Sequence, residues 1–255
     1  MNMDLSIIVL TCNQRAYTMR LLESMGAYLR ATPGTELILV DNGSADTTIA
    51  DVRRWQQSLN LSNLTIIEAG ENLGVARGRN LGLKAARGEV LMLLDNDTIA
   101  DPDTFEALRR HVIENPSCGI AAPALYAPDG ELQASAKPYP GIWIKLAHIL
   151  RPGIELACER EELLKPHPYY VIGACQTFRR EIPERIGMLD SAVFFGPEDC
   201  EYCIRVRKAG YTIDYLPHLR LTHYWRRATR RSPLSPLARR HAIALLRFWL
   251  RHPLP

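Results

Sequence analysis

A chain of 255 residues with 47% hydrophobic and 23% charged residues has the make-up of a globular protein large enough to bury its own core. Six cysteines lack disulfide-like spacing, and Cys200 and Cys203 form the one Cys-x-x-Cys pair, which argues against a disulfide scaffold or a structural zinc site. The formal net charge of +3 conceals an asymmetry: eight arginines and no acidic residue lie from Arg226 onward, so a body of net −5 precedes a tail of +8.

The run Leu5 to Leu10 reads as a strand buried on both faces. Leu21, Leu22, Met25 and Leu29 recur at helical spacing, and Pro33-Gly34 breaks that helix. A second strand, Leu37 to Val40, ends at Asp41-Asn42-Gly43-Ser44, with a helix beginning near Asp46-Thr47 that Asp46 or Ser44 would cap. Leu64 to Ile67 is a third strand, and Gly74 to Arg87 a helix stopped by Gly88. The fourth strand, from Gly88 to Leu94, runs into Asp95-Asn96-Asp97. Strand alternation would project the two aspartates together, at a cost that a bound cation would relieve. The pattern predicts a mostly parallel sheet flanked by helices, with ligands at the strands' carboxyl ends. No G-x-G-x-x-G follows the first strand and no phosphate-loop signature is present, which argues against dinucleotide binding and P-loop NTPases.

Beyond Thr98 the pattern changes. Asp101-Pro102 reads as a helix start and Pro116 as its stop, followed by a hairpin turn at Ala127 to Gly130. Residues 135–168 have no clean period and read as a functional loop or lid. A strand is expected over Tyr169 to Cys175, a helix from Glu198 to Gly210 with Cys200, Cys203 and Ile204 buried, and a strand over Tyr211 to Leu216.

Several ordered blocks now carry a resemblance: Ser6 to Asn13, Val40 to Asp46, Asn72-Leu73-Gly74 through Arg79 to Gly82, Leu94 to Asp97, Gly173 to Cys175, and Glu198-Asp199 with Arg205 and Gly210-Tyr211. Together the chain resembles a family 2 glycosyltransferase of the GT-A fold, within the rhamnosyltransferase-like bacterial subgroup. The resemblance implies an α/β fold with a Rossmann-like, mostly parallel central sheet and a smaller antiparallel acceptor-side portion. It implies a GT-A domain over residues 1–225, with a nucleotide-sugar half (1–100) and an acceptor half (101–225); the residue pattern of 226–255 reads as a basic amphipathic helix. Asp41 would accept a hydrogen bond from a uracil or thymine base, and Thr11, Asn13 and Arg79 would complete the nucleoside pocket. Asn72, Asp95 and Asn96 belong to the same donor site. Asp97, with His223, would bind Mn²⁺ or Mg²⁺. Asp199 would be the general base, with Glu198 orienting or touching the acceptor, and the sugar's anomeric configuration would invert. Two positions depart from the family's pattern: Tyr224-Trp225 stand where small residues are common, and Glu201 where Asp is frequent.

The resemblance implies an inverting, metal-dependent glycosyltransferase acting from a UDP- or dTDP-sugar on a glycan or lipid-linked acceptor, in cell-surface polysaccharide synthesis. The rivals are a nucleotidyltransferase, whose Gly-rich basic loop is absent at Thr11 to Gln14, and a silent GT-A subunit that binds a partner or glycan. No stretch reaches membrane-spanning length, and Met1 to Asp4 lacks the basic region of a signal peptide, so a cytoplasmic setting is expected. The tail mixes Leu237, Ile243, Leu246, Trp249 and Leu250 with Arg239, Arg240, Arg247 and Arg251. It reads either as a peripheral contact with the inner face of the cytoplasmic membrane or as a helix packed on the domain. No nucleic-acid-binding motif accompanies it.

Overall fold

The computed structural model describes residues 3–141, 159–224 and 236–253. Most of the expected lid (142–158), the expected boundary at residue 225, and Arg226, Arg227, Arg230 and Arg231 lie outside them.

The four apolar runs form β1 (Met3–Thr11), β2 (Thr35–Asp41), β3 (Leu64–Glu68) and β4 (Gly88–Asp95). Between them lie α1 (Arg15–Ala31), α2 (Thr48–Leu59) and α3 (Val75–Ala85). The chain continues through β5 (Thr98–Ile99), α4 (Pro102–Glu114), β6 (Cys118–Tyr126), β7 (Ala136–Lys137), β8 (Tyr170–Val171) and β9 (Cys175–Arg179). It ends with α5 (Glu181–Ile186), α6 (Glu198–Lys208), β10 (Thr212–His223) and α7 (Pro236–Arg251). One eight-stranded sheet runs in the order β3-β2-β1-β4-β9-β6-β10-β5, and β7 and β8 form a separate pair. In the large sheet β9 is antiparallel to both neighbours and β5 to β10, and its other pairings are parallel; β7 and β8 pair antiparallel.

Period-two alternation feeds two cores. Leu5, Ile7 and Val9 of β1 pack with Leu21, Leu22, Met25 and Leu29 of α1 and Phe105 of α4. Ile8 faces the other way, into a core with Ala76 and Leu83 of α3 and Tyr202 and Val206 of α6. Cys200 and Cys203 are fully buried on α6. The strand register pairs Thr11 with Asp41 and Leu10 with Asp95. The polar ends of β1, β2 and β4 therefore share one level at the sheet's carboxyl edge.

Three elements differ from the sequence pattern. The helix expected to reach Arg87 ends at Ala85, and Gly88 opens β4 instead of stopping the helix. A Cβ there would stand 2.5 Å from the Ser6 nitrogen, so the glycine permits close strand approach. The single strand expected over 169–175 is two, β8 and β9, interrupted at Gly173, where a Cβ would lie 2.5 Å from Arg79 Nη1. β10 runs beyond Leu216 to His223, past an irregularity in its pairing with β6. Of the two candidate caps of α2, Asp46 Oδ1 accepts from the Thr48 nitrogen at 3.0 Å, whereas Ser44 Oγ accepts from the Asn13 nitrogen.

α7 packs on the domain through Ala244, Phe248 and His252, with Phe248 against Cys200 and Ile204 of α6. Its other side leaves Ile243, Leu246 and Leu250 more than half exposed beside Arg239, Arg247 and Arg251.

Candidate active site

A cavity of about 630 Å³ opens at the carboxyl edge of the sheet. Nine of the eleven residues expected at the site line it: Thr11, Asn72, Arg79, Asp95, Asn96, Asp97, Glu198, Asp199 and His223.

Asp95 ends β4, and a turn closed by Thr98 Oγ1 on the Asp95 carbonyl (2.8 Å) folds Asp97 back toward it. A tight turn, rather than strand alternation, thus gathers the two aspartates. β10 pairs antiparallel with β5, placing His223 opposite Thr98 and the Tyr224 nitrogen on the Asp97 carbonyl. One ligand atom from each of Asp95, Asp97 and His223 lies within 4.8 Å of the others, and His223 Nε2 is 3.3 Å from Asp97 Oδ1. Gln133 Oε1 takes the other imidazole nitrogen, Nδ1, at 2.7 Å, while its amide donates to the His223 carbonyl at 2.8 Å. With Nδ1 carrying the proton, Nε2 presents a lone pair to the aspartates, as a metal-ligating histidine must. Two carboxylates and an imidazole suit a hard or borderline divalent cation such as Mg²⁺ or Mn²⁺. Gln133 was not marked by the sequence; its only signal was a polar residue just past a hairpin turn.

Arg79 reaches this group from α3. It is 4% exposed, and its Nη2 donates to Asp95 Oδ1 at 2.5 Å and to the Gly173 carbonyl at 2.7 Å. Burial alone would lower its pKa, but Asp95, Glu198 and Asp199 around it hold it up. Burial raises the Asp95 carboxyl; Arg79 pulls it back, Asp97 pushes it up again, and the net shift is upward. At the start of α6, Asp199 Oδ1 accepts from the Cys200 nitrogen at 2.7 Å and Oδ2 from the Gly173 nitrogen at 3.1 Å. Burial lifts the Asp199 pKa despite those bonds. Glu198 is pushed up to about 7, first by burial and then by Asp199, and its Oε2 has no hydrogen-bond partner.

The other side of the cavity is built from loops that brace one another. Asn96 donates to Thr18 Oγ1 (2.9 Å) and Thr11 Oγ1 (3.3 Å), a buried network that fixes the end of β1 against α1. Asn72 Oδ1 accepts from Asn42 Nδ2 and the Gly74 nitrogen. Gly43, at φ +77°, allows this contact, because a Cβ there would meet the Glu71 backbone at 2.7–2.8 Å. Asn42 lines the cavity, although the sequence marked only its neighbour. Asn13 and Asp41 lie just behind the cavity wall. Asn13, at φ +51°, clamps the loop through Ser44 and Ala45, and both Asp41 oxygens accept from the Ser44 nitrogen. Glu201 ion-pairs with Arg205 at 2.8 Å, and Tyr224 packs its ring on Tyr17 and Arg20.

A second group, His111, Cys118 and Asp214, lies where β6 and β10 begin, at the opposite end of the sheet. Asp214 accepts from His111 Nε2 at 2.8 Å and His167 Nδ1 at 2.9 Å. Against its burial, the Thr212, His111 and Cys118 contacts pull its pKa down. Its oxygens are satisfied, as in a structural clamp.

Comparison with known proteins agrees with this layout. The description "Glycosyl transferase family 2" matches residues 6–187. An N-acetylglucosaminyl-diphospho-decaprenol L-rhamnosyltransferase of Mycobacterium tuberculosis is 27% identical over 97% of this chain and 85% of its own length. Among curated relatives the chain spans from 21% to 85% of the relative's length. The mannosyltransferase PcManGT of Pyrobaculum calidifontis, in complex with GDP-Man and Mn²⁺, superposes with a TM-score of 0.64 at 22% identity, covering 88% of this chain and 57% of that one. TarS of Staphylococcus aureus, residues 1–349 with UDP-GlcNAc, gives 0.62 at 18% identity, covering 92% and 62%. These two likenesses establish the fold, which is GT-A. Matched over most of its length, the chain belongs to glycosyl transferase family 2.

Proposed function

We propose that this chain is a metal-dependent, inverting glycosyltransferase, moving a sugar from a UDP- or dTDP-linked donor to a hydroxyl of a glycan or lipid-linked acceptor. The observation that carries the reading is the convergence of Asp95, Asp97 and His223 with Asp199 in one cavity. The names of similar proteins, which act on a lipid diphosphate or were solved with UDP-GlcNAc, support it. The residues divide into a donor half over 1–100 and an acceptor half over 101–225.

Asp41 receives the base, near Thr11 and Asn13, with Asn72 and Asn96 bracing the loops around the nucleoside. Asp97, His223 and Asp95 would hold Mn²⁺ or Mg²⁺, whose charge would offset that developing on the diphosphate. Arg79 acts by holding Asp95 in place. Asp199 takes the proton from the acceptor hydroxyl as its oxygen bonds to the anomeric carbon. The bond from that carbon to the diphosphate oxygen breaks, its electron pair leaving with the diphosphate. One displacement inverts the centre.

Thermal melting with UDP and with dTDP, each with Mn²⁺ or with a chelator, tests this reading. At about 100-fold excess over Kd, nucleotide and metal together should raise Tm by about 5–10 °C, and the Asp97→Ala variant should lose the rise. An equal rise in chelator would refute metal dependence, and no rise with either nucleotide would refute the donor class.

We also infer a peripheral membrane contact through α7, on the ground of its exposed Ile243, Leu246 and Leu250 beside arginines. Sedimentation with phosphatidylglycerol vesicles should pull down the protein, and Leu246→Glu with Leu250→Glu should release it. Binding unchanged in that double variant would remove the inference. Among the described residues no helix is long and apolar enough to cross a membrane.

A further inference from the structure

The family match ends at residue 187, yet a side chain from α7 stands beside the cavity wall. His241 packs edge-on against Phe195, and its neighbour Arg240 lies 4.2 Å over the ring of Phe194; both phenylalanines line the cavity. His241 Nδ1 is buried without a hydrogen-bond partner, and so is Glu198 Oε2, on a residue only 8% exposed. Two orphaned polar atoms are costly, and here both lie against the same glycine, Gly196. The point where a Cβ on Gly196 would stand is 2.9 Å from His241 Nδ1 and 4.0 Å from Glu198 Oε2. Gly196, at φ +41°, puts no side chain between the two atoms, and it lines the cavity together with Glu198 and Asp199.

We propose that Glu198 Oε2 and His241 Nδ1 form a seat for one oxygen: a hydroxyl of the acceptor, or water when no acceptor is bound. With Nδ1 carrying its proton and Glu198 carrying its own, each donates to the seated oxygen, which satisfies both orphans at once and leaves the hydroxyl's proton for Asp199. The seat deepens the transferase reading and rests on it. It makes α7 a wall of the acceptor side and His241 a positioning residue for the nucleophile that Asp199 deprotonates.

The test uses the full chain and hydrolysis of the donor, with water as acceptor. UDP-GlcNAc, UDP-glucose and dTDP-rhamnose are offered with Mn²⁺, and the one hydrolysed fastest is kept. His241→Ala should lower kcat for hydrolysis by about tenfold, the worth of one hydrogen bond to the nucleophile, with the donor KM unchanged. His241→Asn, which returns a polar atom near the Nδ1 position, should recover most of the rate. A merely structural role would move Tm and be equally impaired in both variants. Unchanged kcat in His241→Ala, a parallel rise in donor KM, or no recovery in His241→Asn would overturn the seat. Absence of hydrolysis by the unaltered protein would instead bring down the transferase reading, and the seat with it.

Discussion

Replacing Asp199 by Asn should cut donor turnover by about 10²–10⁴-fold, the usual worth of a positioned general base. The rise in Tm with nucleotide and Mn²⁺ should survive, since neither Asp199 oxygen belongs to the metal triad. The variant also carries a structural cost. Both oxygens accept backbone N–H groups, so one half of an asparagine amide would face a donor, at about 1 kcal/mol. Melting of the variant without ligand measures that cost separately. Glu198 is the rival base, because its pKa of about 7 suits proton abstraction near neutrality. Glu198→Gln should therefore be made in parallel. If it abolishes turnover while Asp199→Asn spares it, the two acids exchange roles.

The largest effect on stability is expected from Arg79→Met. The methionine roughly fills the volume but removes the cation that faces Asp95, Glu198 and Asp199, and it leaves the Gly173 carbonyl unpaired. Removing a buried cation from a half-buried pair, and leaving a buried carbonyl unpaired, costs about 2–4 kcal/mol, or about 5–10 °C in Tm for a chain of this size. The pH dependence has a definite sign. Glu198 and Asp199 are already raised in the parent, and without the guanidinium, which holds both down, they titrate higher still. The gap to the parent is therefore smallest while these acids are protonated in both proteins and widens as pH rises through and past 7. Melting from pH 5 to 8 in chelator checks this; a gap that stays constant with pH would mean that Arg79 matters for packing alone.

Much of the donor side was legible because it is local. Apolar runs ending in Thr11, Asp41 and Asp95 fix the strands, and parallel register then aligns their ends with no further information. The buried stripe of α6 followed equally directly from the spacing of Cys200, Cys203 and Ile204. What stayed hidden depends on pairings between distant segments. β9 enters antiparallel between β4 and β6, and no periodicity announces that place in the sheet. Gly173, read as part of a strand, is instead the break that lets the chain meet Arg79 and Asp199. Gln133 and His241 were invisible for the same reason: each matters only through a residue far away in sequence, His223 for one and Glu198 for the other.

The two-residue strand β5 has a consequence for how this protein reaches its working state. Asp95 and Asp97 are brought together by a local turn, but His223 arrives only when the last strand closes on Thr98 and Ile99. That closure joins segments more than a hundred residues apart, the kind of contact whose loop entropy makes it slow to form. A nascent or partly folded chain would thus hold two of the three candidate ligands and lack the third. Cation affinity in this protein would then report on completion of folding, and a chain cut before β10 would keep the nucleotide loops without a finished centre.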